Sequence, residues 1–216
     1  MYKRFFQTLL VLVVSAYLGA CASFHNEEVA AVDELPDVSS YQNKPTVYID
    51  LKLFHGDPAS GKGTEVPQAR DMVLPAVEEM LKSKGIFSEY TFDQFKQDEM
   101  DYKLTLHFYN HGNAGAAAVS GFLCGFTFGV IPAAATDNYT LKAALTEGGS
   151  EIAALENKDS MTTWMGLWFI PMMGHSPKST AQALLVNQVK AVLEEMIENK
   201  QLKYSLFEEL GNRTFL

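Results

Sequence analysis

The run Tyr102-Lys103-Leu104-Thr105-Leu106-His107-Phe108-Tyr109 alternates without a break. In an extended chain Tyr102, Leu104, Leu106 and Phe108 share one side, and Lys103, Thr105, His107 and Tyr109 the other. Period two over eight residues specifies a strand with one buried and one wet face, and Leu104 and Leu106 are its expected core residues. Upstream, Thr46–Phe54 repeats the pattern, with Val47, Ile49, Leu51 and Leu53 set against Tyr48, Asp50 and Lys52. A Gly/Pro/Ser loop, His55–Gly63, separates it from apolar residues recurring at helical steps: Val66, Ala69, Val73, Ala76, Val77, Met80 and Leu81. Gly85 stands where a helix C-cap belongs, and Pro75 inside the pattern predicts a kink or a late start. A short strand near Ile86–Phe92 and an acidic turn (Asp98, Glu99, Asp101) lead back to residues 102–109.

Downstream, Asn138–Thr146 and Ile152–Asn157 read as two strands joined by Glu147-Gly148-Gly149-Ser150, a hairpin signal. The last long element is a helix from Thr180 to Asn199, with Ser179 and Gln182 as a capping box and Leu185, Val189, Val192 and Met196 as its buried stripe. Leu202, Leu206 and Leu210 suggest a final short helix before Gly211. The order specifies an α+β domain over residues 45–216: a mostly antiparallel sheet of four to five strands with two main helices on one face. Two such helices and a sheet fit the single core that a chain of this size supports.

Two apolar segments flank the second hairpin. Residues 112–136 contain no Lys, Arg, Asp or Glu, and Gly121, Gly125 and Gly129 stand four apart. Residues 161–174, Met-Thr-Thr-Trp-Met-Gly-Leu-Trp-Phe-Ile-Pro-Met-Met-Gly, hold both tryptophans and four of the nine methionines. Three readings of 112–136 stay open: a membrane span with glycines admitting a neighbouring helix, a Gly-rich loop packed into the core, and an exposed apolar surface. The hairpin between the segments brings its two ends together. The expected contact surface therefore joins Phe126 and Phe128 to Trp164 and Trp168, with at least one tryptophan partly exposed.

The search for chemistry returns no catalytic residue, metal site or cofactor. Gly56-Asp57-Pro58-Ala59-Ser60-Gly61-Lys62-Gly63 has the spacing of a phosphate loop, but Gly63 stands where a magnesium-holding hydroxyl belongs and Pro58 removes an amide. No nucleotide is expected there. His107 and His111 share a strand face about 13 Å apart, too far for one zinc ion, and His175 is distant in sequence. Ser120 lacks the first glycine of a nucleophile elbow. Glu78-Glu79, Glu194-Glu195 and Glu208-Glu209 are neighbours that a helix points about 100° apart, hence solvated faces.

The N-terminal stretch opens with Lys3 and Arg4, continues through an apolar run from Leu9 to Val14, and closes on Leu18-Gly19-Ala20-Cys21. A basic start, a short apolar middle and small closing residues mark an export signal. The last four residues resemble the lipobox of bacterial lipoproteins. The resemblance implies cleavage between Ala20 and Cys21 by signal peptidase II and lipid on Cys21. It covers residues 1–20 as signal peptide and makes Cys21 the head of the mature chain. Residues 21–44, with Glu27, Glu28, Asp33, Glu34 and Asp37, then read as a flexible acidic tether. Ala22 and Ser23 lack the aspartate that, in the enterobacterial lipoproteins this end resembles, favours the inner membrane. An outer-membrane address follows from that resemblance.

Without Lys3 and Arg4 the chain carries 15 basic and 26 acidic residues, a net of −11. That balance opposes nucleic acid and anionic head groups, so membrane attachment rests on acyl chains and apolar contact. Cys124 is then the lone thiol, expected to be buried among Phe122, Leu123 and Phe126. The expected protein is a non-enzymatic, periplasm-facing lipoprotein of the Gram-negative outer membrane that binds or assembles another envelope component. It would be held by its lipid and accompanied by an envelope protein partner. The alternative is a subunit of an oligomeric membrane structure that inserts residues 112–136. Element order alone is similar to that of small periplasmic domains of envelope-assembly lipoproteins.

Overall fold

The computed structural model describes residues 21–61, 63–112, 114–172 and 174–206, so the expected signal peptide and the residues around Leu210 lie outside it. The fold is α+β. Seven strands form one sheet: β1 (Cys21–His25), β2 (Thr46–His55), β3 (Thr64–Glu65), β4 (Glu89–Thr91), β5 (Tyr102–Gly112), β6 (Ala133–Glu147) and β7 (Ser150–Met165). The order along the sheet is β1-β7-β6-β5-β2-β3, with β4 also beside β2. The β2–β5 and β2–β4 pairs are parallel and the rest antiparallel.

Alternation decides which face is dry. Val47, Ile49, Leu51 and Leu53 of β2 line up with Tyr102, Leu104, Leu106 and Phe108 of β5, and all are buried. Tyr139, Leu141, Ala143 and Leu145 of β6 continue the row. Two helices cover this face: α1 (Pro67–Lys84), burying Val73, Val77, Met80 and Leu81, and α3 (Pro177–Glu198), burying Leu184, Leu185, Val189, Val192, Leu193 and Met196. The helix α1 runs through Pro75 and ends at Gly85, whose N–H bonds to Leu81 O at 3.1 Å. The Gly148-Gly149 turn has positive φ at both positions (57° and 82°), which glycine adopts without steric cost and a tight hairpin requires.

Several expectations are corrected. The sheet has seven strands, because β1 and the two-residue β3 join the five expected. The hairpin strands are also far longer than their alternating cores. The α3 helix starts three residues earlier than expected. Ser176 is its cap, accepting from Ser179 N–H at 3.2 Å, because Pro177 is preset for the first helical position. Gln182 does not turn back to the cap and instead donates to Met72 O at 2.6 Å, tying α3 to α1. Leu202 is buried without any helix there, and Leu206 is exposed.

The largest correction concerns residues 21–44, which lie on the domain instead of swinging free. Val32, Leu35 and Val38, three residues apart, reach the core while the acidic residues between them stay wet. The side chain of Asp159, fully buried, accepts from His25 (2.6 Å) and from the N–H groups of Glu28 (3.2 Å) and Ser160 (2.8 Å). Ser160 Oγ donates to Glu28 (2.6 Å), Val32 N–H donates to Asn187 (2.9 Å), and Lys190 donates to Val32 O (2.9 Å). Leu35→Ala is therefore expected to lower stability by about 1–3 kcal/mol, or several degrees in Tm. An unchanged thermal midpoint would mean that this segment adds nothing to the fold.

Candidate functional site

The site is built where three strands outrun the rest of the sheet. The first residues of β6, Ala133–Asp137, pair with Met161–Met165 of β7, and β1 pairs with the same stretch from the other side. Met165 thus stands opposite both Ala133 and Cys21. Beyond this three-stranded end lie helix α2 (Ala114–Phe126), the turn 127–132 and a short 3₁₀ segment, Leu167–Met172.

Helix α2 has its polarity inverted. A surface helix normally turns its apolar stripe inward and its polar groups to water. Here the inward positions include Ser120 and Cys124. Ser120 Oγ lies 3.0 Å from Ala134 O, and Cys124 Sγ 3.6 Å from Met165 O. The outward positions are Val119, Phe122, Leu123 and Phe126, with Phe122 and Phe126 stacked one turn apart at 6.3 Å. The inner face is made of short side chains, Ala117, Ser120 and Cys124, and the two polar ones take up strand carbonyls. Cys124 is therefore half-buried rather than fully buried as expected.

The structure brings the two apolar segments together. Leu167 N–H donates to Gly129 O at 3.1 Å, and Trp168 Nε1–H donates to Val130 O at 3.0 Å. Trp168 is 70% exposed, and Phe126 and Phe128 are each 75% exposed. Trp164 is half-buried and stacks on Phe169 at 5.6 Å. With Val130, Ile131 and Met172 these side chains make an exposed apolar cap, free of charged groups across residues 114–136 and 161–172. The helix α2 has 13 residues, roughly 20 Å at 1.5 Å per residue, against a hydrocarbon core of about 30 Å. No helix among the described residues is long and apolar enough to cross a membrane, and the described residues of 112–136 are divided among the end of β5, α2, the turn and the start of β6.

Cys21, the expected lipid site, opens β1 at the border of this cap. The two residues after it, Ala22 and Ser23, are fully buried, and Ser23 N–H donates to His175 O at 2.8 Å. No slack chain separates Cys21 from the domain. The expected cleavage partner, Ala20, lies outside the described residues.

The joint between the segments is tight at Gly166. Its φ is 147°, and a Cβ there would meet Gly129 O at 3.1 Å and Pro132 Cα at 3.3 Å. Gly166→Ala is expected to destabilise by about 1–3 kcal/mol through backbone strain and that clash. Faster proteolysis within residues 127–131 at an unchanged hairpin would locate the damage, and wild-type resistance would refute it.

The other residues weighed for chemistry are scattered. His107 lies 3.7 Å from Asp50, beyond hydrogen-bond reach, and burial pushes its pKa below the ordinary value while Asp50 opposes the shift. His111 bonds to Thr140 Oγ1 (3.1 Å), and His175 stacks on Phe24 (5.3 Å). No group of three or more metal-ligating side chains converges among the described residues. In the glycine-rich loop Asp57 caps the short turn Pro58–Ser60, and Lys62 lies outside the described residues. Glu78 pairs with Lys82 at the helix surface. A cleft of about 340 Å³ opens between α1, α3 and the sheet, lined by Leu53, Met72, Phe108, Tyr139 and Leu185 and rimmed by Asp137. Burial there raises Tyr139 to about 12, which keeps it a neutral phenol.

No protein-family model matches the chain, and no characterised protein matches it by sequence. Among solved structures it is similar to a PelC dodecamer from Paraburkholderia phytofirmans (12% identity, TM-score 0.37, 81% of this chain and 97% of that chain). It is also similar to a minor lipoprotein from Acinetobacter baumannii (10% identity, TM-score 0.37, 74% of this chain and 96% of that chain). At such TM-scores the likeness is loose, and nothing of those proteins' roles passes to this chain.

Proposed function

We propose that this chain is a non-enzymatic lipoprotein of the Gram-negative outer membrane, held by lipid on Cys21 and facing the periplasm, that binds or helps assemble another envelope component. One observation carries the reading: an exposed, uncharged aromatic cap stands directly beside the cysteine of a lipobox-like sequence. Contiguous apolar surface of this kind on a folded domain marks a contact site. The opposite face of the sheet, with Asp50, Lys52, Lys103 and Lys142 partly or fully exposed, is a polar surface suited to a partner standing in the periplasm.

The reading is tested by placing a photoreactive residue at Phe126, Trp168, Lys52 or Lys142 and irradiating intact envelopes. At least one position is expected to yield a discrete crosslinked species of another envelope component. Absence of any such species from all four positions would overturn the reading.

A further inference from the structure

We propose that the cap formed by α2, residues 127–132 and residues 167–172 is seated in the bilayer surface itself, as a second, protein-made membrane contact beside the lipidated Cys21. The inference rests on the lipoprotein reading above and names the occupant of its apolar surface.

Three features select lipid over a second copy or a protein partner. The first is inversion. The helix α2 turns Val119, Phe122, Leu123 and Phe126 outward and Ser120 and Cys124 inward, which suits an apolar solvent on the outer side. The second is reach. A fully extended residue spans at most about 3.6 Å, and burial begins at Ala22, so acyl chains on Cys21 hold the domain within roughly one residue of the membrane. Met165, opposite Cys21, continues through Gly166 into Leu167, whose N–H bonds Gly129 in the cap. The cap is therefore on the side that the lipid would draw to the bilayer. The third is chemistry. The cap mixes Phe side chains with Trp168, whose ring is exposed while its N–H is satisfied internally by Val130 O. An uncharged aromatic surface at the level of the head groups is the usual protein complement of that boundary.

Depth is limited by the fold. The helix α2 lies over β6, and buried Asp159 with its half-buried partner His25 sits further down the same end of the sheet. The cap thus enters the interface while the paired strands stay above it. The acyl chains on Cys21 supply the anchor, and apolar protein contact adds to it without any cationic residue. The seat should therefore need no anionic lipid, and it should change little with salt.

The test uses the lipidated protein carrying Trp164→Phe, which leaves Trp168 as the only tryptophan. It is reconstituted into phosphatidylcholine/phosphatidylethanolamine vesicles containing lipids brominated near the head group. Trp168 emission is expected to shift to the blue and to fall by at least about half. Phe126→Asp with Phe128→Asp should restore most of it, and raising salt from about 0.05 to 0.5 M should change it less than about twofold. Unlipidated Cys21→Ser protein should still bind the same vesicles, with about a tenfold loss in the double Asp variant. Far-ultraviolet circular dichroism checks that the Asp variant folds. If it does not, the quenching of the parent protein decides alone.

Unquenched Trp168 in lipidated protein would overturn the proposal. If sedimentation then showed self-association abolished by the Asp pair, the occupant would be a second copy. Unquenched Trp168 with crosslinking elsewhere in envelopes would remove the membrane seat and leave the lipoprotein reading standing. Quenching with no crosslinked component from any face would do the reverse.

Discussion

Leu104→Ala is expected to lower the unfolding free energy by about 2–5 kcal/mol, the usual loss when a well-packed leucine leaves a cavity. Leu104 lies on β5 between Ile49 of β2 and Leu145 of β6, and all three are buried under the helices. The position is central in the sheet, so the surrounding structure collapses poorly into the gap. Urea unfolding should show a lower midpoint at an unchanged slope, since the surface exposed on unfolding is nearly the same. A loss below about 1 kcal/mol would mean that Leu104 is not the well-packed core residue described.

Replacing Cys21 by Ser has the larger effect on location. Lipid attachment needs the thiol, so the variant should lose all incorporation of a labelled fatty acid. It should appear as precursor or in the soluble fraction, with only the reversible apolar contact left to hold it. Label that persisted at wild-type level would overturn the assignment of Cys21. Because Cys21 occupies the first position of β1 and is half-buried, Ser at this site should leave the melting temperature nearly unchanged.

Much of this fold was legible in the chain, for a physical reason. The strands Thr46–His55 and Tyr102–Gly112 lie mid-sheet under the helices, so apolar residues alternate along Val47–Leu53 and Tyr102–Phe108. The covering helices repeat apolar residues at three- and four-residue steps. What escaped has equally definite causes. The ends of β6 and β7 extend beyond the helices, so Ala133–Thr136 and Thr162–Met165 have no uniformly buried side to write into the pattern. The strand β1 is five residues long, and its partner lies 140 positions away (Ser23 with Thr163), so nothing local announces it. Residues 26–44 were misread because the residues that pack, Val32, Leu35, Val38 and Tyr41, are few and their acidic neighbours dominate the composition. In α2 the amphipathic signal is reversed and spelled in Ala and Gly, which leaves no polar face to recognise.

For the exposed apolar cap, composition was enough to choose the segments and the hairpin was enough to join them. Phe126, Phe128 and Trp168 could be named from that alone. Their relation to Cys21 was hidden, because the supposed tether placed more than twenty flexible residues between the cysteine and the fold.

The edge position of β1 also fixes an order of events. The residues of β1 must wait for β7, which comes about 140 residues later in the chain, before they can pair. Closing a loop of that length is entropically slow, so this edge of the sheet is completed late in folding. Until then the outer edge of β7, Met161–Met165, offers unpaired backbone to any passing strand. Cys21, the expected lipid site, and the last hydrogen bonds of the sheet belong to the same five residues, so any processing at Cys21 and completion of the fold would converge on one short strand.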